Sequence, residues 1–284
     1  MRFQFGKLVL LWFLALILSF GAYLYNRNFY PEKDVFVKSA DSQTDSEAEE
    51  SSVPDVNSTV DPAPTLSAPD DSADEPPVPV APQKINPVPE SAPQDADYLN
   101  SCAFVGETNI FTLGQAGLLQ PFSIYASDTL TLSNYTKEYV MLSGTTIRIL
   151  SALNSASCPI YLMFGTESLA EQPADQTADQ FSVLLSQVIA AAPEADVFVL
   201  SIPPVTADAE KGNSPILNST IDEYNSLLLE ICNEANVYFV DTNTALKNND
   251  SRLDPYYAVE DGIHLTTEAG QILLDYVLRH VPMQ

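Results

Sequence analysis

Five short, nearly unbroken apolar runs constrain this chain more than anything else in it. They are Cys102–Gly106, Phe122–Ala126, Pro159–Gly165, Asp196–Ile202 and Val237–Val240. None shows the apolar–polar alternation of a half-solvated strand, and continuous runs of this length suit strands covered on both faces. Helical periodicity fills the gaps at Thr145–Ala156, Asp179–Ala192 and Ser219–Ala235, the last with Ile221, Tyr224, Leu228, Ile231, Cys232 and Ala235 on one stripe. A final helix follows Thr266, which suits an N-cap; Glu268 suits its positive end, and Ala269, Ile272, Leu273, Tyr276 and Val277 face inward. Strands alternating with helices imply βαβ units. The expected fold is therefore α/β, a three-layer α/β/α sandwich around a mainly parallel five-stranded sheet, spanning residues 98–284.

The first third of the chain has a different composition. Arg2 and Lys7 precede Leu8–Tyr25, an apolar stretch of near-minimal length to span a bilayer. We read residues 1–28 as a transmembrane signal-anchor, with Tyr23 and Tyr25 at the outer interface. A cleavage site at Ser19-Phe20-Gly21 is the competing reading. Residues 29–97 form the expected disordered linker. Its Ser39–Asp97 portion carries fourteen acidic residues against the single Lys84. Proline-rich pieces such as Asp74–Pro82 prefer extended geometry, and like charges stretch them further. This is a spacer that would hold an extracytoplasmic domain away from the membrane. The formal charge of -26 excludes a nucleic-acid partner, which needs a basic face. Three cysteines do not make a disulfide scaffold, although Cys102 and Cys158 precede neighbouring strands and an exported domain could link them.

In a parallel sheet, ligands gather at the carboxyl ends of the strands. Gly106-Glu107-Thr108 and Gly165-Thr166-Glu167 fall on that edge, and the Asp261-Gly262-Ile263-His264 loop can reach it. Taken in order, Phe104–Asn109, Gly165–Ser168, Ser201–Val205, Ile221-x-x-Tyr224-Asn225 and Asp261-x-x-His264 resemble the conserved blocks of the SGNH/GDSL hydrolases, which have a flavodoxin-like sheet. The resemblance implies ester hydrolysis. The position of the attacking serine holds Thr108, the base is His264, and Asp261 orients it. The oxyanion and substrate-binding positions fall on Gly106, Gly165, Glu167 and, just after the second strand, Asp128. No cofactor or metal is expected, and the spacing of Glu107, Glu167, Asp261 and His264 is not diagnostic of a cation site.

Two departures weigh on activity. Thr108 brings an extra methyl to the nucleophile position, and Glu167 puts a carboxylate where the family has an asparagine donor. Losing one oxyanion donor typically costs about 10²–10³ in rate. Two functions follow as expectations. One is a membrane-tethered esterase or O-deacetylase acting on an acylated envelope glycan or a small ester, with lost or reduced activity. The other is an inactive relative that binds a glycan or protein through the same cleft.

Overall fold

The computed structural model describes residues 82–211 and 216–282. The expected anchor and the linker up to residue 81 lie outside the described residues. No helix among the described residues is long and apolar enough to cross a membrane.

The elements in chain order are β1 (Ala103–Gly106), α1 (Thr108–Gln115), β2 (Ile124–Ala126), β3 (Val140–Leu142), β4 (Thr145–Ile147), α2 (Ile149–Leu153), β5 (Ile160–Met163), α3 (Ala174–Ala191), β6 (Val197–Leu200), α4 (Asn218–Ala235), β7 (Tyr238–Val240), α5 (Thr242–Leu246) and α6 (Thr267–Arg279). Five strands form one sheet in the order β2-β1-β5-β6-β7, and every pairing in it is parallel. The expected architecture holds, and so does its physical reason: all residues of β1, β5 and β6 are buried.

Crossovers from β1 run outward in both directions. Right-handed connections therefore put α1 on one face and α3 and α4 on the other. Helix α6 returns to the α1 face, where Gly270 lies so close to Leu113 and Leu118 that a Cβ would collide with Leu113. Across the sheet, Phe104, Tyr161, Phe198 and Tyr238 share one register and stack with centroid spacings of 5.0, 4.6 and 4.7 Å. Offset stacking of this kind adds about 0.5–1.5 kcal/mol per pair beyond the area buried.

Two expectations are corrected. Thr145–Ile147 was expected at the start of a helix but forms β4, paired antiparallel with β3. Ser143 and Gly144 both take positive φ (49° and 82°), the two-residue turn that closes a tight hairpin. The domain also begins before Tyr98. Val88 is buried and donates its N–H to the Phe239 carbonyl at 2.8 Å. Asn86 accepts from Phe239 N at 2.7 Å and donates to Val237 O at 2.8 Å, and the Lys84 ammonium lies 4.0 Å from the Tyr238 ring centroid. Residues 84–88 thus occupy the free edge of β7, where unpaired backbone groups would otherwise invite another chain.

Candidate active site

The blocks that follow β1, β5 and β6 sit where those strands reach the carboxyl rim, while Ile221–Asn225 lies in α4 and Asp261–His264 in the loop before α6. β1 ends at Gly106, whose missing side chain lets the strand approach β5: a Cβ there would lie 2.5 Å from the Met163 carbonyl. Glu107 occupies the N-cap position of α1 without a side-chain cap bond, and Thr108 opens the helix with its side chain partly exposed. The chain after β5 turns at Gly165, where a φ of 121° and the Tyr224 ring, 2.5 Å from where a Cβ would sit, exclude any side chain. The Tyr224 hydroxyl in turn donates to Phe164 O at 2.9 Å, so α4 fixes the segment that delivers Glu167.

The histidine loop is held from three sides. Asp261 Oδ1 accepts from the backbone N–H groups of Ile263 and His264 at 2.8 and 2.9 Å. Gly262, at φ 73°, accepts from Thr206 N at 2.9 Å. Asn109 Oδ1 accepts from Leu265 N at 3.0 Å, tying the loop to the helix that carries Thr108. Thr266 caps α6 as expected by accepting from Ala269 N.

These supports bring Thr108, Glu167, Asp261 and His264 together. His264 Nδ1 meets Asp261 Oδ2 at 2.6 Å, the orienting contact the resemblance implies. The other ring nitrogen faces Glu167 Oε1 at 3.3 Å, and the Thr108 hydroxyl donates to that same oxygen at 2.7 Å. One carboxylate oxygen therefore stands between the hydroxyl and the imidazole.

The electrostatics follow from this bridge. The hydrogen bond to Glu167 outweighs the cost of burial and, with Asp261, raises His264 to about 9. Burial opposes charge on Glu167, but hydrogen bonds from Glu107, His264 and Thr108 prevail and hold it at about 2. Asp261 is likewise lowered: burial is overcome by its bonds to the His264 ring and backbone. At neutral pH the histidine is therefore predominantly an imidazolium between two carboxylates.

Behind this layer lies a second carboxyl. Glu107 is 3% exposed, and its Oε2 accepts from Gly165 N at 2.9 Å. Glu107 Oε1 and Glu167 Oε2 are both buried without a donor. A hydrogen bond joins the two side chains, which requires a proton on one of them. Burial first, then the hydrogen bond and negative charge of Glu167, push Glu107 well above the usual carboxylate range, so that proton resides on Glu107.

Not every expected residue joins the site. Asp128 is exposed in the turn after β2 and makes no hydrogen bond to Thr108, Glu167 or His264 among the described residues. The Gly165 N–H is engaged by Glu107, which removes it as a free oxyanion donor. In the first turn of α1 the Ile110 N–H bonds the Glu107 carbonyl at 3.1 Å, while those of Thr108 and Asn109 have no intrahelical acceptor by position. Two contributors escaped the sequence reading. Asn109 was noted only as part of a block, yet it clamps the histidine loop. Glu107 was considered only within the non-diagnostic cation grouping, but its place at a strand-to-helix junction was the available signal for burial. Among the described residues no group of His, Cys, Asp and Glu side chains is arranged to hold a metal ion.

A parallel α/β/α domain with a hydroxyl, an imidazole and an orienting carboxylate converging on its carboxyl rim has the architecture of an ester hydrolase. The model of the GDSL-like lipase/acylhydrolase family matches residues 129–272, just over half the chain, and the protein belongs to that family. No curated protein matches the sequence. Among solved structures, a GDSL-like lipase from Bacteroides thetaiotaomicron is similar at 15% identity and TM-score 0.47, covering 62% of this chain and 86% of that one. An acetylxylan esterase from Geobacillus stearothermophilus is similar at 14% identity and TM-score 0.43, covering 63% and 92%. Phospholipase A1 from Streptomyces albidoflavus is similar at 15% identity and TM-score 0.43, covering 63% and 98%.

Proposed function

We propose that the protein is an acyl-ester hydrolase whose site is latched at rest by Glu167. In this reading Thr108 is the nucleophile, His264 the base and Asp261 the orienting carboxylate. Anchored through residues 1–28 and extended on its acidic linker, the domain would work outside the membrane on acyl groups carried by an envelope glycan. The observation that carries the reading is the single oxygen, Glu167 Oε1, that joins the Thr108 hydroxyl to the His264 ring.

Turnover requires that bridge to open and His264 to lose its proton. Thr108 Oγ1 then attacks the ester carbonyl while its proton passes to His264 Nε2. Collapse of the tetrahedral intermediate expels the alcohol, which takes that proton, and leaves the acyl group on Thr108. Water completes the cycle with His264 again as base. The α1 N-terminal N–H of Thr108 is the donor available to the oxyanion.

The test is acetyl-ester hydrolysis by the purified full-length chain across pH. A latched triad gives a rate that climbs with an apparent pKa near 9, as His264 does, and that vanishes in His264→Ala. A flat or absent rate in the parent and in Glu167→Asn sinks the hydrolase reading.

The same bridge favours a second reading from another class. A carboxylate fixed where the developing negative charge would sit repels it, which suits a cleft that binds an acylated glycan or a protein without cleaving it. Failure of every variant to turn over ester, with ligand binding intact, would decide for this module.

A further inference from the structure

A hollow of about 270 Å³ opens directly beside Glu167. Its wall comes from Thr131 and Ser133 in the segment after β2, from Ser168 and Glu171 after β5, from Gln172 just before α3 and from Gln180 in the second turn of α3. Hydroxyls, carboxamides and carboxylates supply all of its chemistry, with no lysine, arginine or aromatic ring. That lining excludes two ligand classes. A phosphate, sulfate or uronate would meet carboxylates where it needs guanidinium or ammonium donors. An acyl chain would meet a wall that is mostly polar.

The arrangement of the glutamines is specific. Gln172 Nε2 donates to Gln180 Oε1 at 3.0 Å, and Gln180 Nε2 returns the bond to Gln172 Oε1 at 3.2 Å. A primary amide has two N–H groups and two acceptor lone pairs. The reciprocal pair uses one of each, so each side chain, locked by its partner, keeps one donor and one acceptor to offer. Nearby, the Ser168 hydroxyl makes no side-chain hydrogen bond among the described residues. Adjacent hydroxyls of a sugar present the complementary set, each donating and accepting. The volume lies just under the ~300–1,000 Å³ typical of small-molecule sites, enough for a single ring.

We propose that this hollow is the subsite for a neutral sugar ring bearing the ester, with ring hydroxyls on the Gln172–Gln180 pair and the acyl carbonyl directed at Thr108. This assignment rests on the reading of Thr108 as the point of attack, and it names the substrate that reading leaves open: an O-acylated, uncharged sugar.

The experiment compares two esters on the full-length chain and on its Gln172→Met/Gln180→Met variant, which keeps side-chain volume and removes the amides. One ester is methyl O-acetyl-glucopyranoside; the other is sugar-free p-nitrophenyl acetate. The ratio of kcat/KM for the sugar ester to that for p-nitrophenyl acetate falls at least about tenfold in the variant, the scale expected when a ligand hydroxyl loses its partners. An unchanged ratio overturns the subsite. If neither ester is hydrolysed, the hydrolase reading has failed but the subsite is still tested. Saturation-transfer NMR with methyl glucopyranoside then shows binding to the parent that the variant loses, and its absence in the parent overturns the proposal. Should the double variant not fold by thermal denaturation, Ser168→Ala carries the same comparison and must lower the same ratio.

Discussion

The carboxyl rim has two halves that solve the same problem differently. Beyond β6 and β7, buried polar groups are neutral and paired. Asn225 accepts from Ile202 N at 2.9 Å and donates to Ile202 O at 3.1 Å; Asn218 does the same for Val205 at 3.0 Å each way. Asn243 adds a bond to Ile202 O at 2.9 Å, and its own N–H reaches Ser201 Oγ at 2.8 Å. Beyond β1 and β5 the groups are carboxyls and an imidazole. The three buried side-chain atoms that lack a partner among the described residues, Glu107 Oε1, Asn109 Nδ2 and Glu167 Oε2, all belong there. Buried polar groups are ordinarily satisfied, so a cluster of exceptions marks a place kept for chemistry or for a mobile proton. One half of the rim holds the loops in place; the other stores charge.

The largest effect should come from removing the bridge. Glu167→Asn takes away the carboxylate between Thr108 and His264 and supplies a donor instead. We expect acetyl-ester turnover at pH 7 to rise by about 10²–10³, the usual worth of one oxyanion donor. His264, followed by NMR titration, should fall from about 9 toward its ordinary value. A titration that stays near 9 would mean that Asp261 alone raises it.

Next in size is the structural half. Asn225→Leu leaves the Ile202 N–H without its acceptor and weakens satisfaction of the Ile202 carbonyl, both buried. The expected loss is about 2–3 kcal/mol of stability, read by denaturant unfolding. The same measurement on Glu167→Asn should show a much smaller change. Equal losses at the two sites would erase the distinction between a structural and a chemical half.

A third expectation concerns pH. The folded-state value of His264, about 9, exceeds its unfolded value of 6.5. The clamp therefore stabilises the fold fully below about pH 6.5, and that contribution disappears as pH rises through about 9. Asp261 is 42% exposed, so solvent screening reduces the effect to about 1–2 kcal/mol. Thermal midpoints of the parent should decline between those limits, and those of His264→Gln should decline less.

How much of this was legible in the sequence differs by half as well. The five strands were readable because a strand covered on both faces shows as an unbroken apolar run, and each was found within about two residues. The β3–β4 hairpin was missed because Thr145-Thr146-Ile147 continues into a true helix, while the turn depends on Ser143 tolerating positive φ. The start of the domain was missed because residues 84–88 bind the sheet edge through an asparagine side chain and a single buried valine, without a hydrophobic pattern. At the site, Thr108, Asp261 and His264 were locatable by motif order. The bridge was not, since a residue's type does not reveal whether its carboxylate points at the substrate or fills the gap between nucleophile and base. Asp128, placed by strand end alone, shows how weak that rule is without a contact.

The smallest effect is the most discriminating. Glu107→Gln replaces a proton-bearing carboxyl with an amide of the same shape: Oε1 can accept from Gly165 N, and Nε2 can donate to the buried Oε2 of Glu167. Stability at about pH 4, where the carboxyl is protonated both folded and unfolded, should change by less than about 1 kcal/mol, and the His264 titration should stay near 9. What should change is a slope. Glu107 is raised well above its unfolded value of 4.5, so the parent takes up a proton on folding and loses stability as pH climbs above that value. One proton corresponds to about 1.4 kcal/mol per pH unit, and the glutamine variant should lack that contribution between pH 5 and about 6.5, below the His264 window. Glu107→Leu, which can neither donate to Glu167 nor accept from Gly165, should release the bridge and lower His264. If the glutamine and leucine variants behave alike, the shared proton is not what holds Glu167 between Thr108 and His264.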